Sequence, residues 1–190
     1  MKTKLIFILL AVVLFSSCKP DDTPDPDGVF TLQHDQQQFL SPFLPSGTFE
    51  FAARFEPSEL GDAAGGKLFE TEIYIFELPT NMRIKIYTGS GMDQPADLVH
   101  QQDITLGRAP NAWNTITLSD SVDVPTDKDL WIAVRFTQSD NQQIIGCDQG
   151  PAVANGDWFW DSAVGNWQTY REATNNATNV NWNIRGKVAK

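Results

Sequence analysis

Thr48-Phe49-Glu50-Phe51-Ala52-Ala53-Arg54-Phe55 alternates large apolar side chains with polar or small ones. Successive side chains of a strand point to opposite faces, so Phe49, Phe51, Ala53 and Phe55 share one face, and Glu50, Ala52 and Arg54 the other. The same period recurs downstream. Phe69, Thr71, Ile73 and Ile75 alternate with Glu70, Glu72, Tyr74 and Phe76, and Met82, Ile84 and Ile86 with Arg83, Lys85 and Tyr87. Leu130, Ile132, Val134 and Phe136 alternate with Trp131, Ala133 and Arg135. Shorter strands are expected at Leu98–Ile104, Trp113–Leu118, Gln142–Cys147, Asp157–Asp161, Trp167–Tyr170 and Trp182–Val188. Gly89-Ser90-Gly91, Gly107, Pro110-Asn111, Pro125-Thr126-Asp127, Gly150-Pro151, Asn155-Gly156 and Gly165-Asn166 supply turns between them. One short helix fits Pro57-Ser58-Glu59-Leu60, with proline in its first turn and Gly61 after it. Many short strands with such punctuation predict an all-β, two-layer antiparallel sandwich.

The chain opens differently. Lys2 and Lys4 precede the uncharged run Leu5–Phe15, followed by Ser16-Ser17-Cys18. The run is shorter than the ~20 apolar residues that span a bilayer, so it reads as an export signal. Small residues before Cys18 resemble a bacterial lipobox, which implies a signal peptide over residues 1–17 and lipid attachment at Cys18. An ordinary secretory signal with a chance cysteine is the alternative. Lys19 to Gly28 holds three prolines and four aspartates with nothing to bury, so 18–28 reads as the lipidated cysteine and a flexible, extended stalk. A lysine and paired acids after the cysteine resemble the surface-export signal of Bacteroidota lipoproteins. That resemblance implies a lipid-anchored protein of the outer membrane, exposed at the cell surface; a spacer facing the periplasm is the alternative.

Charge narrows the partners. Removing residues 1–17 takes Lys2 and Lys4 from 14 basic residues and no acid from 24, leaving a net charge of −12. Without a basic cluster such a chain repels phosphate backbones, which argues against nucleic acid, and membrane contact is expected through lipid alone. Residues 29–190 suit a single domain. With Cys18 committed to lipid, Cys147 has no partner, and Ile144-Ile145-Gly146 before it suggest a buried, inert thiol.

Pieces of the domain, in order, are similar to a known group of modules: Phe51-Ala52-Ala53-Arg54-Phe55 with Glu59-Leu60, Ile84-Lys85-Ile86-Tyr87-Thr88-Gly89, and Trp113-Asn114-Thr115-Ile116-Thr117-Leu118. Leu130-Trp131-Ile132-Ala133-Val134, Gly146-Cys147-Asp148-Gln149-Gly150-Pro151-Ala152-Val153 and Asn181-Trp182-Asn183-Ile184-Arg185-Gly186 continue the series. Residues 48–188 thus resemble jelly-roll-like domains related to the adhesin repeats of gingipain and haemagglutinin-type proteins. The resemblance implies a jelly-roll-like sandwich and a non-catalytic adhesion or ligand-binding module, and names no ligand.

Catalytic constellations are sparse. His34 and His100 are the two histidines, and no nucleophile elbow, HExxH or phosphate-binding glycine loop is present. His34 beside Asp35 reads as a solvated pair at the domain edge, and His100 as part of a polar strand face. Glu70 and Glu72 share a strand face, as the two carboxylates of a glycoside hydrolase can, but Tyr74 and Phe76 follow where a third acid would be expected. A solvated sheet face fits them better. Acidic residues crowd the stalk and several loops without EF-hand spacing, so no metal and no cofactor is expected.

Trp158, Phe159, Trp160, Trp167 and Tyr170 form the densest aromatic cluster. On a strand Trp158 and Trp160 share a face opposite Phe159, so Phe159 can serve the core while the tryptophans meet solvent. Trp158, Trp160, Trp167 and Tyr170, with Asp157, are therefore the candidate ligand-binding residues. Stacked rings beside polar side chains suit a glycan, and equally a protein ligand. The competing expectation is that these rings are simply core.

Overall fold

Apolar side chains at alternate positions drive the chain into antiparallel strands that bury one face against another sheet. The computed structural model describes residues 28–38, 40–89 and 93–190. The signal segment, Cys18 and the stalk as far as Asp27 lie outside the described residues. In chain order the elements are β1 (Val29–Leu32), β2 (Gly47–Phe55), α1 (Pro57–Leu60), β3 (Lys67–Ile75), β4 (Asn81–Gly89), β5 (Asp97–Asp103) and β6 (Ala112–Asp123). Then come β7 (Asp129–Gln138), β8 (Trp158–Asp161), β9 (Trp167–Thr169), α2 (Tyr170–Ala173) and β10 (Ile184–Ala189).

Two sheets result, ordered β1-β10-β3-β6 and β5-β4-β7-β2-β8-β9. Every strand pairing within each sheet is antiparallel. With β8 and β9 set aside, eight strands remain, divided β1, β3, β6, β10 against β2, β4, β5, β7. That is the double Greek-key arrangement of a jelly roll. The β8–β9 hairpin is an addition, inserted before the last strand and laid outside β2. The chain is thus the all-β, jelly-roll-like sandwich expected of it.

Between the sheets lie Leu68, Ile73, Ile75, Ile184 and Val188 from one, and Phe49, Phe51, Phe55, Ile84, Ile132, Val134 and Phe136 from the other. Trp182 closes this core, stacked on Phe51 at 4.1 Å. β2 and β7 are central strands, so even their outward residues Glu50, Ala52, Arg54, Trp131 and Ala133 are buried.

Several local expectations change. A register shift between Leu68 and Glu70 places Leu68 in the core, where simple alternation put Phe69, and leaves Phe69 half-buried. Gln142–Cys147 is no strand: it makes isolated bridges to Leu44, Leu40, Ile75 and Trp182, a strap between segment 40–44 and the end of β3. β1 and α2 are elements that periodicity did not indicate. At one corner the edges of the two sheets approach, and Gln102 of β5 donates to the Thr117 carbonyl (3.2 Å) and accepts from the Ser119 amide (2.8 Å) of β6. One amide side chain thereby occupies backbone groups that an edge strand would otherwise offer to another chain.

Candidate functional site

Strand register sets the outward side chains of the six-stranded sheet in three rows. The first runs Asp103, Arg83, Arg135, Glu50, Trp160, Trp167. The second runs Gln101, Lys85, Ala133, Ala52, Trp158, Thr169. The third holds Tyr87, Trp131 and Arg54. Two alanines in the middle of the second row let the long side chains around them lean inward. A second apolar cluster forms there, of Ala52, Tyr87, Trp131, Ala133 and Trp158, with Trp167 against it. Trp131 is fully covered, its ring 5.0 Å from Trp158 and edge-on to Trp167 at 5.6 Å.

Charged groups on this face are paired because they are desolvated. The Glu50 side chain, 2% exposed, accepts from the Tyr87 hydroxyl (2.6 Å) and Lys85 Nζ (3.2 Å), with Arg135 Nη1 at 3.5 Å. Burial, and then the charge of Glu50, drive the Tyr87 hydroxyl far above the usual tyrosine range. Arg54 donates to Asp129 through Nε (3.1 Å) and Nη2 (2.9 Å), and its guanidinium lies against Trp131 and Trp158. Arg135 stands with its guanidinium 4.7 Å from the centre of the Trp160 ring.

At the hairpin edge the rows open into a groove of about 420 Å³, lined by Asp93, Trp158, Trp167, Gln168, Thr169 and Glu172. Thr169 ends β9 and caps α2; the Glu172 carboxylate accepts from its amide and hydroxyl, both at 2.9 Å. Those hydrogen bonds hold the Glu172 carboxyl below the usual range.

The expected aromatic set divides. Trp158, Trp160 and Trp167 do share the outer face, and Phe159 does point into the core. Trp158 is only 5% exposed, so it is part of the floor; Trp160 and Trp167 are half-buried. Tyr170 does not extend the face. β9 ends at Thr169, and the turn of α2 carries the Tyr170 ring to the core side, against Phe159 (5.3 Å) and Trp182 (5.1 Å). Asp157 is buried behind the hairpin rather than beside the rings, accepting from the Arg171 amide (3.0 Å) and Nε (3.2 Å). Burial pushes its carboxyl up and the contacts with Arg171 oppose that.

Glu70 and Glu72 lie half-buried on the outer face of the other sheet, with Lys187 Nζ 3.8 Å from Glu72. His34 and Asp35 are not a solvated pair. His34 Nε2 lies 2.6 Å from the Arg54 carbonyl with its ring stacked on Phe55, while buried Asp35 binds Arg185 Nη2 (2.6 Å) and Asn183 (3.0 Å). His100 is half-buried, with Nε2 enclosed. The Cys147 thiol is buried and pushed up to about 12, chiefly by desolvation. Among the described residues no three His, Cys, Asp or Glu side chains gather to hold a metal ion. Among them, too, no helix is long and apolar enough to cross a membrane.

Glu50, Lys85, Tyr87, Trp131 and Arg135 escaped sequence reasoning, since they meet across three strands, β2, β4 and β7, far apart in the chain. The turn at Tyr170 was signalled: Thr169-Tyr170-Arg171-Glu172 has the capping-box spacing of a helix start.

No protein-family model matches the chain, and no curated protein matches it significantly. Among solved structures, one of infectious bursal disease virus, Gt strain, is similar over 95% of this chain with a TM-score of 0.32 and 13% identity. The chain spans 45% of that structure's length.

Proposed function

We propose that this protein is a non-catalytic binding component, lipid-anchored through Cys18 and displayed at the outer-membrane surface, whose jelly roll holds a carbohydrate beside Trp158 and Trp167. The observation that carries the proposal is the open groove on the added hairpin. Aromatic rings form part of its wall, and Asp93, Gln168 and Thr169 stand at the same opening. Sugar rings have apolar faces that stack on aromatic faces and hydroxyls that need polar partners, and this lining supplies both. Trp167 is the ring best placed for contact, being half-buried where Trp158 is nearly covered.

A glycan array tests this. Wild-type protein should retain at least one glycan, and Trp167→Ala should lose that retention while its melting temperature falls by only a few degrees. Retention unchanged in Trp167→Ala removes the site. Capture of protein ligands with no glycan retained favours a protein-binding adhesin. Release of reducing sugar from a retained glycan would return the reading to a glycoside hydrolase. The address is tested separately: Cys18→Ala should move the protein from the detergent phase to the soluble fraction, because lipid chains hold the membrane in proportion to their buried CH₂ groups.

A further inference from the structure

We infer that the groove beside Trp158 and Trp167 selects a basic sugar, a hexosamine whose amine is free and protonated. The inference rests on the carbohydrate reading above and adds the chemical class of the ligand.

The first support is the sign of the charge at the opening. Of the described residues that line the groove, Asp93 and Glu172 are the charged ones, and both are acids. Both are exposed, and neither forms an ion pair among the described residues. The charge of Arg171 reaches Glu172, yet its guanidinium is spent on Asp157 and on the Ala152 and Val153 carbonyls. Arg54, whose guanidinium lies against Trp158, is likewise matched by Asp129. Two negative charges are therefore left at the groove, in a chain whose 24 acids against 14 bases already draw cations toward it.

The second support is the hydrogen-bonding character of the lining. A carboxylate only accepts. Glu172 takes the Thr169 amide and hydroxyl on Oε2, both at 2.9 Å, which leaves Oε1 unengaged among the described residues. The Thr169 hydroxyl spends its proton on that contact, and it accepts from the Glu172 amide at 3.2 Å. The Trp158 indole N–H is directed to Asn155 Oδ1 at 3.4 Å. Both Asp93 oxygens and Glu172 Oε1 thus stand open as acceptors, against the Gln168 amide and the Trp167 indole N–H as donors. An ammonium group is the matching partner, with three donors and no acceptor. An acetamido group in its place brings a carbonyl that needs a donor, and a sugar carboxylate would meet two like charges.

The third support is the ring beside these charges. Trp167 is half-buried and lines the same groove. The face of an indole attracts a cation as well as the apolar face of a pyranose, and tryptophan does so best among the aromatic side chains. One wall can serve both parts of an aminated ring. At about 420 Å³ the groove has the size of clefts that hold small ligands.

The test measures dissociation constants of the protein for glucosamine and galactosamine oligosaccharides and for their N-acetylated counterparts, which keep the ring and remove the charge. Titrations run at about pH 6, where an amine is protonated and side-chain carboxyls are ionised. At least one free amine should bind about tenfold or more tightly than its acetylated form, the scale of a charge-assisted hydrogen bond. Asp93→Asn should reduce that preference, and Asp93→Asn combined with Glu172→Gln should erase it. Asp93→Asn alone, at an exposed position without an ion pair, provides the measurement if the double variant misfolds. Amine and acetylated forms bound equally, a preference undiminished in these variants, or retention of neutral or acidic glycans alone would each overturn the amino-sugar inference and leave the carbohydrate reading standing. Oligolysine bound as tightly as the free-amine oligosaccharide would make the groove a reader of charge rather than of sugar, and would overturn it too. Retention of no glycan at all, charged or neutral, would remove both readings.

Discussion

The two outward faces of this sandwich are built from the same kinds of residue and behave differently. On the four-stranded sheet, Trp113 lies 36% exposed with Arg185 over its ring at 4.0 Å, and Glu72 pairs loosely with Lys187. On the six-stranded sheet, Trp131 is wholly buried and Glu50 nearly so. The difference comes from the added hairpin. By extending the sheet past β2, β8 and β9 turn β2 from an edge into an interior strand and bring Trp158 and Trp167 over Trp131. A solvated face thereby becomes a second, smaller core with a groove at its edge. Two layers of a jelly roll have one core by construction; here the insertion supplies another, and the candidate site is its margin.

Removing the same ring from each face is the sharpest way to break this comparison. Trp131→Ala deletes a fully buried ring and should cost about 3–5 kcal/mol of unfolding free energy. Trp113→Ala loses an edge-on contact with Tyr74 at 5.8 Å and the stacking of Arg185, and should cost about 1 kcal/mol. Urea denaturation of both variants reads the gap. Equal losses would mean that the outer layer of the six-stranded sheet is no core.

Charges provide the next test. Glu50→Gln leaves Lys85 buried beside a neutral amide and should cost about 3 kcal/mol, since removing one member of a buried pair strands the other. Glu72→Gln removes a long, partly solvated contact and should cost less than about 1 kcal/mol. A Glu50 variant as stable as the Glu72 variant would show that water reaches the first face as freely as the second.

Legibility in the sequence followed how local each cause is. β2, β4 and β7 were readable because a face buried between sheets imposes period two over many residues, and Trp158-Phe159-Trp160 was readable for the same reason. Phe69 was misplaced because a bulge shifts the period by one residue, and a bulge leaves no mark in hydrophobic alternation. β1 was missed because four residues are too few to show a period. Gln142–Cys147 has strand-like composition but is held by single bridges to segments far away in the chain. The Glu50 network had no local signature at all. Its members sit at ordinary outward positions of β2, β4 and β7, and only the strand order joins them. The fold was therefore largely readable, while the chemistry of its outer face was not.

The smallest expected effect lies at the rim of the groove, where the second core meets solvent. Glu172 is exposed, but its carboxylate accepts from the Thr169 amide and hydroxyl, and these bonds hold its carboxyl below the usual value. A carboxyl depressed in the folded state stabilises fully above its unfolded value, about 4.3 for glutamate, and loses that contribution as pH falls through the lower folded value. Glu172→Gln keeps the shape and removes the charge at the start of α2, which should cost about 0.5 kcal/mol at neutral pH. The difference between wild type and variant should hold steady from pH 7 down to about pH 5 and shrink steadily below it. Urea midpoints of both proteins at pH 7, 5 and 3 measure this directly. A difference that is the same at pH 3 as at pH 7 would mean that the carboxylate's charge contributes nothing there, and that Thr169 caps α2 through its own hydroxyl alone.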